Sequence, residues 1–92
     1  MKFGYSTNRI CQKALDYYSK GNCKKLLNDY NGAISDFTKA IQCNPNFAEA
    51  YYRRGNTRVL LNDNEGALSD YDKAIELNPE LAKTLNNRGL TN

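Results

Sequence analysis

The reactive side chains of this chain suit holding a partner better than turning over a substrate. There is no histidine, which removes the commonest general base and the commonest metal ligand. Cys11, Cys23 and Cys43 are an odd number of cysteines with no close pairing, which argues for reduced thiols and against a disulfide framework. Cys23 and Cys43 read as small core or surface thiols rather than nucleophiles. No nucleophile–base pair, metal-ligand cluster or phosphate loop stands out. Asp63-x-Glu65-Gly66 resembles the start of a calcium loop, but the further spaced carboxylates and the distal glutamate are missing, so it reads as a turn. The expectation is therefore a protein that is not an enzyme and needs no metal or cofactor. What remains is binding chemistry. Arginine grips carboxylates with two parallel hydrogen bonds, asparagine donates and accepts at once, and tyrosine offers a flat face with one polar end.

Those residue types recur with a period. The stretch from Ala14 to Phe47 is repeated without a gap from Ala48 to Leu81, and 18 of the 34 positions are identical. The pairs include Tyr17/Tyr51, Tyr18/Tyr52, Gly21/Gly55, Asn22/Asn56, Asp36/Asp70 and Pro45/Pro79. A third copy starts at Ala82 and runs to Asn92. A fixed period of this size marks stacked supersecondary units.

Each unit reads as two helices. Ala14, Tyr17, Tyr18, Gly21, Leu26 and Leu27 give the first helix of unit one its apolar positions, with a glycine in the middle. That glycine costs roughly 1 kcal/mol against alanine in helix propensity, so its recurrence at Gly55 implies a close helix–helix approach. Asn28-Asp29-Tyr30-Asn31 and Asn62-Asp63-Asn64-Glu65 break the pattern, as turn and N-cap residues do. The hairpin reading of Asn31-Gly32 fails because both flanks are helical in period. Ala33, Ile34, Phe37, Ala40 and Ile41 then form the stripe of an amphipathic helix, repeated as Ala67, Leu68, Tyr71, Ala74, Ile75 and Leu77. Asn44-Pro45 and Asn78-Pro79 end it, since proline disfavours helix in the preceding residue. Residues 1–13 lie outside the repeat and read as a tail or helix extension, with Ser6, Thr7 and Asn8 as possible N-caps.

The unit resembles the tetratricopeptide repeat. An aromatic at Tyr17 and Tyr51 is followed four residues later by Gly21 and Gly55. Ala33 and Ala67, an aromatic at Phe37 and Tyr71, Ala40 and Ala74, and a closing Pro45 and Pro79 complete the pattern. The resemblance implies an all-α fold, an α-solenoid of antiparallel helix pairs. It divides the chain into a tail at 1–13, repeats at 14–47 and 48–81, and a partial third repeat or capping helix at 82–92. Two departures are basic: Lys20, Arg54 and Arg88 replace the usual leucine before the small residue, and Lys24 and Arg58 replace the tyrosine after it.

Charge divides by helix. The net charge is +3, yet the first helices hold eight basic residues against two acidic ones and the second helices two against eight. The resemblance implies that first helices line a concave groove, which would then be basic and attract an acidic or carboxylate-bearing segment. The competing expectation is internal pairing, Arg54 with Asp70 or Asp36 and Arg88 with Asp70. Groove positions carried over from the family are Leu15, Tyr18, Ser19, Asn22 and Lys25, then Glu49, Tyr52, Arg53, Asn56 and Val59, then Lys83, Asn86, Asn87 and Leu90. Of these, Tyr18, Asn22, Lys25, Tyr52, Arg53, Asn56, Lys83, Asn86 and Asn87 are the expected peptide-binding set. Some family members clamp a chaperone C-terminal carboxylate; Asn22 and Lys83 fit that clamp, whereas Tyr18, Arg53 and Asn87 replace its other members.

The expected function is a protein–protein interaction scaffold. The alternative is self-association as a homo-oligomer or swapped helix, covering the apolar face of Leu77, Leu81 and Leu85 at the incomplete C-terminal repeat. No apolar run is long enough to span a membrane, and MKFGYSTNRICQK has no signal-peptide core. No membrane role and a cytoplasmic setting are expected. Nucleic acid is a weaker candidate partner, given the acidic second helices and the modest net charge.

Overall fold

A computed structural model describes the backbone of residues 2–83 and the side chains of residues 13–83. Four helices follow one another: α1 (Lys2–Leu26), α2 (Tyr30–Cys43), α3 (Ala48–Leu60) and α4 (Asn64–Leu77), and residues 81–83 are again helical. α1 packs on α2, α3 on α4, and α2 on α3, while α1 and α3 also touch. The result is two antiparallel pairs in two layers, a two-repeat helical solenoid, with first helices in one layer and second helices in the other. Among the described residues there is no strand. α1 begins at Lys2, so Ser6, Thr7 and Asn8 lie within the helix instead of capping it.

Leu-Leu-Asn-Asp turns the chain inside each unit. Asn28 and Asn62 adopt the left-handed conformation, φ 67° and 65°, which asparagine tolerates better than most residues. The Asp29 N–H bonds the Lys24 carbonyl at 2.8 Å and the Asn28 N–H the Lys25 carbonyl at 3.0 Å. The same two bonds recur from Asp63 to Arg58 at 2.9 Å and from Asn62 to Val59 at 3.0 Å. This Schellman pattern satisfies the last carbonyls of the first helix. Each aspartate then caps the next helix, Asp29 accepting from the Gly32 N–H and Asp63 from the Gly66 N–H, both at 3.0 Å. A Cβ at Gly32 or Gly66 would collide with that carboxylate. One acidic residue therefore ends one helix and starts another.

Between units, Asn44 and Asn78 end α2 and α4 in extended conformation. Their side chains accept from the Asn46 N–H at 3.1 Å and the Glu80 N–H at 3.2 Å. Tyr51 reaches back to donate to the Pro45 carbonyl at 3.2 Å.

The core is built from small residues around a few rings. Ala14, Ala33, Ala40, Ala50, Ala67 and Ala74 are buried, and Phe37 is fully enclosed. Small side chains let the helices approach, and the glycines allow it where a ring crosses. A Cβ on Gly21 would lie 2.6 Å from the Phe37 ring, and one on Gly55 2.8 Å from the Tyr71 ring. Tyr52 packs with Ala74, Leu81, Ala48, Tyr51, Tyr71 and Ile75.

Two readings of apolar residues are overturned. Leu26 and Leu27 are 83% and 79% exposed, because α1 ends at Leu26 and the Schellman turn carries both side chains off the packed face. Leu81 is buried rather than uncovered, since it closes over Tyr52 and Ala74. Leu77 is half-buried, and Leu85 lies outside the described residues.

Candidate functional site

α1 and α3 bring together three side chains at the seam between the repeats. Tyr18 projects from α1 and stacks obliquely on Phe37 and Phe47, with ring centroids 5.9 and 4.9 Å apart. That packing fixes its hydroxyl beside α3. The Arg53 Nε donates to this hydroxyl at 3.2 Å, and the hydroxyl donates onward to Glu49 Oε2 at 3.5 Å. Glu49 and Arg53 stand one helical turn apart on α3, so both face the same neighbour. Arg53 is half-buried, and nothing among the described residues binds its two terminal nitrogens. Its guanidinium is thus oriented through Nε with the fork still available for a carboxylate.

The remaining expected groove residues separate by burial. Asn22 and Lys25 are half-buried and Lys83 is exposed. Tyr52 and Asn56 are 7% and 6% exposed. The Tyr71 hydroxyl donates to Asn56 Oδ1 at 2.6 Å, and the Tyr52 and Tyr71 rings lie 6.0 Å apart. Asn56 and Tyr52 therefore belong to the second repeat's packing and do not present their faces to a partner in this structure. Asn86, Asn87 and Arg88 lie outside the described residues. Of the other carried positions, Leu15, Ser19, Glu49 and Val59 are exposed, and Leu90 lies outside the described residues.

Charge is redistributed by pairing. Asp70, buried at the layer interface, receives Arg54 through Nε at 2.9 Å and Nη2 at 2.7 Å, and Arg58 Nη1 at 2.9 Å. Arg54 also donates to Thr38 Oγ1 at 3.1 Å, which ties the second repeat to α2 of the first. In the first repeat, Lys24 meets the buried Asp36 at 2.9 Å. The hydrogen bond and the charge of Asp36, with a smaller contribution from Asp29, hold the Lys24 amine above its ordinary 10.5. Arg58 adds a looser contact to Asp63 at 3.6 Å. Lys24, Arg54 and Arg58 thus direct their charge into the layer interface, and only part of the first helices' basic excess can meet a partner. Lys20 stays exposed, with its ammonium 5.8 Å from the Tyr17 ring.

The pairing of Arg54 with Asp70 was legible from sequence; that of Lys24 with Asp36 and Arg58 with Asp70 was missed. The signal lay in the period, since a basic residue and an aspartate twelve positions later occur in both units. Among the described residues, no group of side chains could hold a metal ion and no helix is long and apolar enough to cross a membrane.

The model of the tetratricopeptide repeat family matches residues 14–47 and 48–81. Among solved structures, the crystal structure of MamA is similar, with a TM-score of 0.72 and 28% sequence identity over 73% of this chain. The match spans 39% of the MamA chain. No curated protein sequence matches.

Proposed function

The chain belongs to the tetratricopeptide repeat family, whose repeats are protein–protein interaction scaffolds, and from that premise we propose that its first-helix layer holds an extended peptide segment bearing a carboxylate. The observation that carries this reading is the Arg53 guanidinium, aimed by the Tyr18 hydroxyl across the seam between repeats at 3.2 Å. A pre-oriented fork loses less freedom on binding a carboxylate than a free side chain does. Asn22 and Lys25, further along α1, are proposed to extend the contact. Lys83 stands where the next unit repeats the position of Glu49, and Asn86 and Asn87 follow in the same stretch. Exposed Leu15 supplies apolar contact beside Tyr18. The proposed setting is cytoplasmic, and the proposed role is non-catalytic.

The test is capture of partners from native extract by the wild-type chain and by Arg53→Glu, with helicity and melting measured in parallel. The expected result is loss of the captured partner with folding unchanged. Equal capture by both chains would remove Arg53 from the binding face.

A second reading, self-association that covers the end of the array, rests on Leu68. It is 63% exposed, whereas its repeat equivalent Ile34 is half-buried. A second copy stacked on α4 would cover it. Leu68→Glu should then lower the molecular mass in solution.

A further inference from the structure

An apolar edge runs along the turns that join the two helices of each unit. Leu26 and Leu27 are 83% and 79% exposed, and Val59, Leu60 and Leu61 are 43%, 51% and 39% exposed. Both groups sit at the C-terminal ends of α1 and α3, which lie side by side in one layer. The edge is not needed for the turn itself. The Schellman bonds there are made by backbone groups, and the cap by Asp29 and Asp63. Tyr18, Glu49 and Arg53 precede the edge on the same two helices, Tyr18 by about two turns on α1 and Arg53 by nearly two on α3. The exposed area of these side chains, on the order of 500 Å², matches the largest apolar patch of a typical monomer, which is often functional.

We propose that this edge is where two copies of the chain pair, antiparallel, with the first unit of one copy against the second unit of the other. The two turns have nearly the same sequence and differ in charge in opposite senses. The first unit has Lys25 where the second has Val59, and the second has Glu65 where the first has Asn31. One end of the edge is thereby more basic and the other more acidic. Turned about a two-fold axis, the leucines of each unit meet those of the other, and Lys25 of each copy approaches Glu65 of its partner. A two-fold contact needs such self-complementarity. A surface carrying the same charge at both ends would repel itself in this arrangement. The area is below that of a standard stable interface, so the pairing is weak and depends on concentration. It shares Lys25 with the peptide site proposed above and leaves the Arg53 fork accessible.

Sedimentation of the full chain up to about 1 mM tests the pairing. A monomer–dimer equilibrium is expected. Leu26→Glu with Leu60→Glu should abolish it. Lys25→Glu alone and Glu65→Lys alone should each weaken it at least tenfold, because each places like charges at both contacts of the dimer. An equimolar mixture of those two single variants should recover it, since every contact then joins a lysine to a glutamate. Leu68→Glu should leave this dimer intact. A chain that stays monomeric at the highest concentration overturns the proposal. So does a dimer that ignores the charge reversals, or one that Leu68→Glu abolishes.

Discussion

Arg54 holds Asp70 through two parallel hydrogen bonds, Nε to Oδ2 at 2.9 Å and Nη2 to Oδ1 at 2.7 Å. The first repeat builds the same junction differently. Asp36 there meets Lys24 at 2.9 Å, and Lys20, the repeat equivalent of Arg54, stays exposed. One fold position thus carries a bidentate arginine clamp in one repeat and a single lysine contact in the other. The residue pattern is shared, and the energetics are not.

Removing the Asp70 carboxylate should therefore cost more than removing that of Asp36. Asp70→Ala strands Arg54 and Arg58 in a half-buried site, and breaking a buried pair from one side costs roughly 3–5 kcal/mol. Asp36→Ala leaves only Lys24, whose side chain is 42% exposed and can turn to water. Urea unfolding of both variants measures the difference. Equal losses would mean that the second arginine adds nothing. Arg54→Lys should fall between wild type and Asp70→Ala, because lysine cannot make the fork.

Gly55 and Gly21 set how closely each helix pair packs. An added methyl at Gly55 lies 2.8 Å from Tyr71 Cε1 and 3.3 Å from the Ala67 carbonyl, and only the ring can move. Gly55→Leu should overpack the contact and destabilise by about 1–3 kcal/mol. Gly55→Ala should lose less, as the better helix propensity of alanine offsets up to roughly 1 kcal/mol of the clash. Thermal melting of the two variants ranks them. A melting temperature for Gly55→Leu equal to wild type would show that the approach is looser than the contacts indicate.

Lys24 links stability to alkaline pH. Its hydrogen bond and charge interaction with Asp36 raise the amine above 10.5 in the folded chain. A group whose folded value is raised stabilises the fold fully below its unfolded value, and that contribution disappears as pH rises through the folded value. The difference in stability between wild type and Lys24→Met should be constant from neutral pH to about 10 and shrink above 10.5. Every other ionisable group is present in both chains and cancels in the difference. Urea midpoints across pH 7–11.5 provide the check. A difference that persists unchanged at the alkaline end would mean that the lysine acts through its methylenes alone.

What sequence revealed and what it concealed divide along a physical line. Period, glycine, proline and aspartate are local signals, so the helices of the repeats, the turns between them and the close approaches at Gly21 and Gly55 could be read directly. The fate of a side chain in the third dimension depends on its neighbours across helices. Leu26 and Leu27 continue the apolar pattern of α1, yet the left-handed Asn28 takes the chain away one residue later and leaves both outside. Tyr18 and Tyr52 are the same letter at the same repeat position. The first is held beside Phe47 and Arg53 and stays partly accessible. The second is closed over by Leu81. The period alone does not distinguish them, because the difference lies in the last residue of each unit, Phe47 in the first and Leu81 in the second.

Asn22 and Asn56 extend the same divergence to the candidate site and support opposite outcomes on mutation. Sequence alone assigns both to peptide contact and anticipates that Asn56→Ala leaves the fold untouched. In the structure Asn56 is buried and its Oδ1 receives the Tyr71 hydroxyl at 2.6 Å. Alanine there would remove that acceptor, at a cost of about 1–3 kcal/mol. Phe37 occupies the Tyr71 position in the first repeat and carries no hydroxyl. Asn22 therefore has no such bond to lose, and Asn22→Ala should change stability by less than about 0.5 kcal/mol. The double variant Asn56→Ala with Tyr71→Phe separates the hydrogen bond from the space the amide fills. If the bond dominates, adding Tyr71→Phe to Asn56→Ala restores much of the lost stability, because the donor and the acceptor are then both gone. If the double variant is as unstable as the sum of the singles, the amide is acting as packing, and the bond is not the reason that Asn56 is closed to a partner.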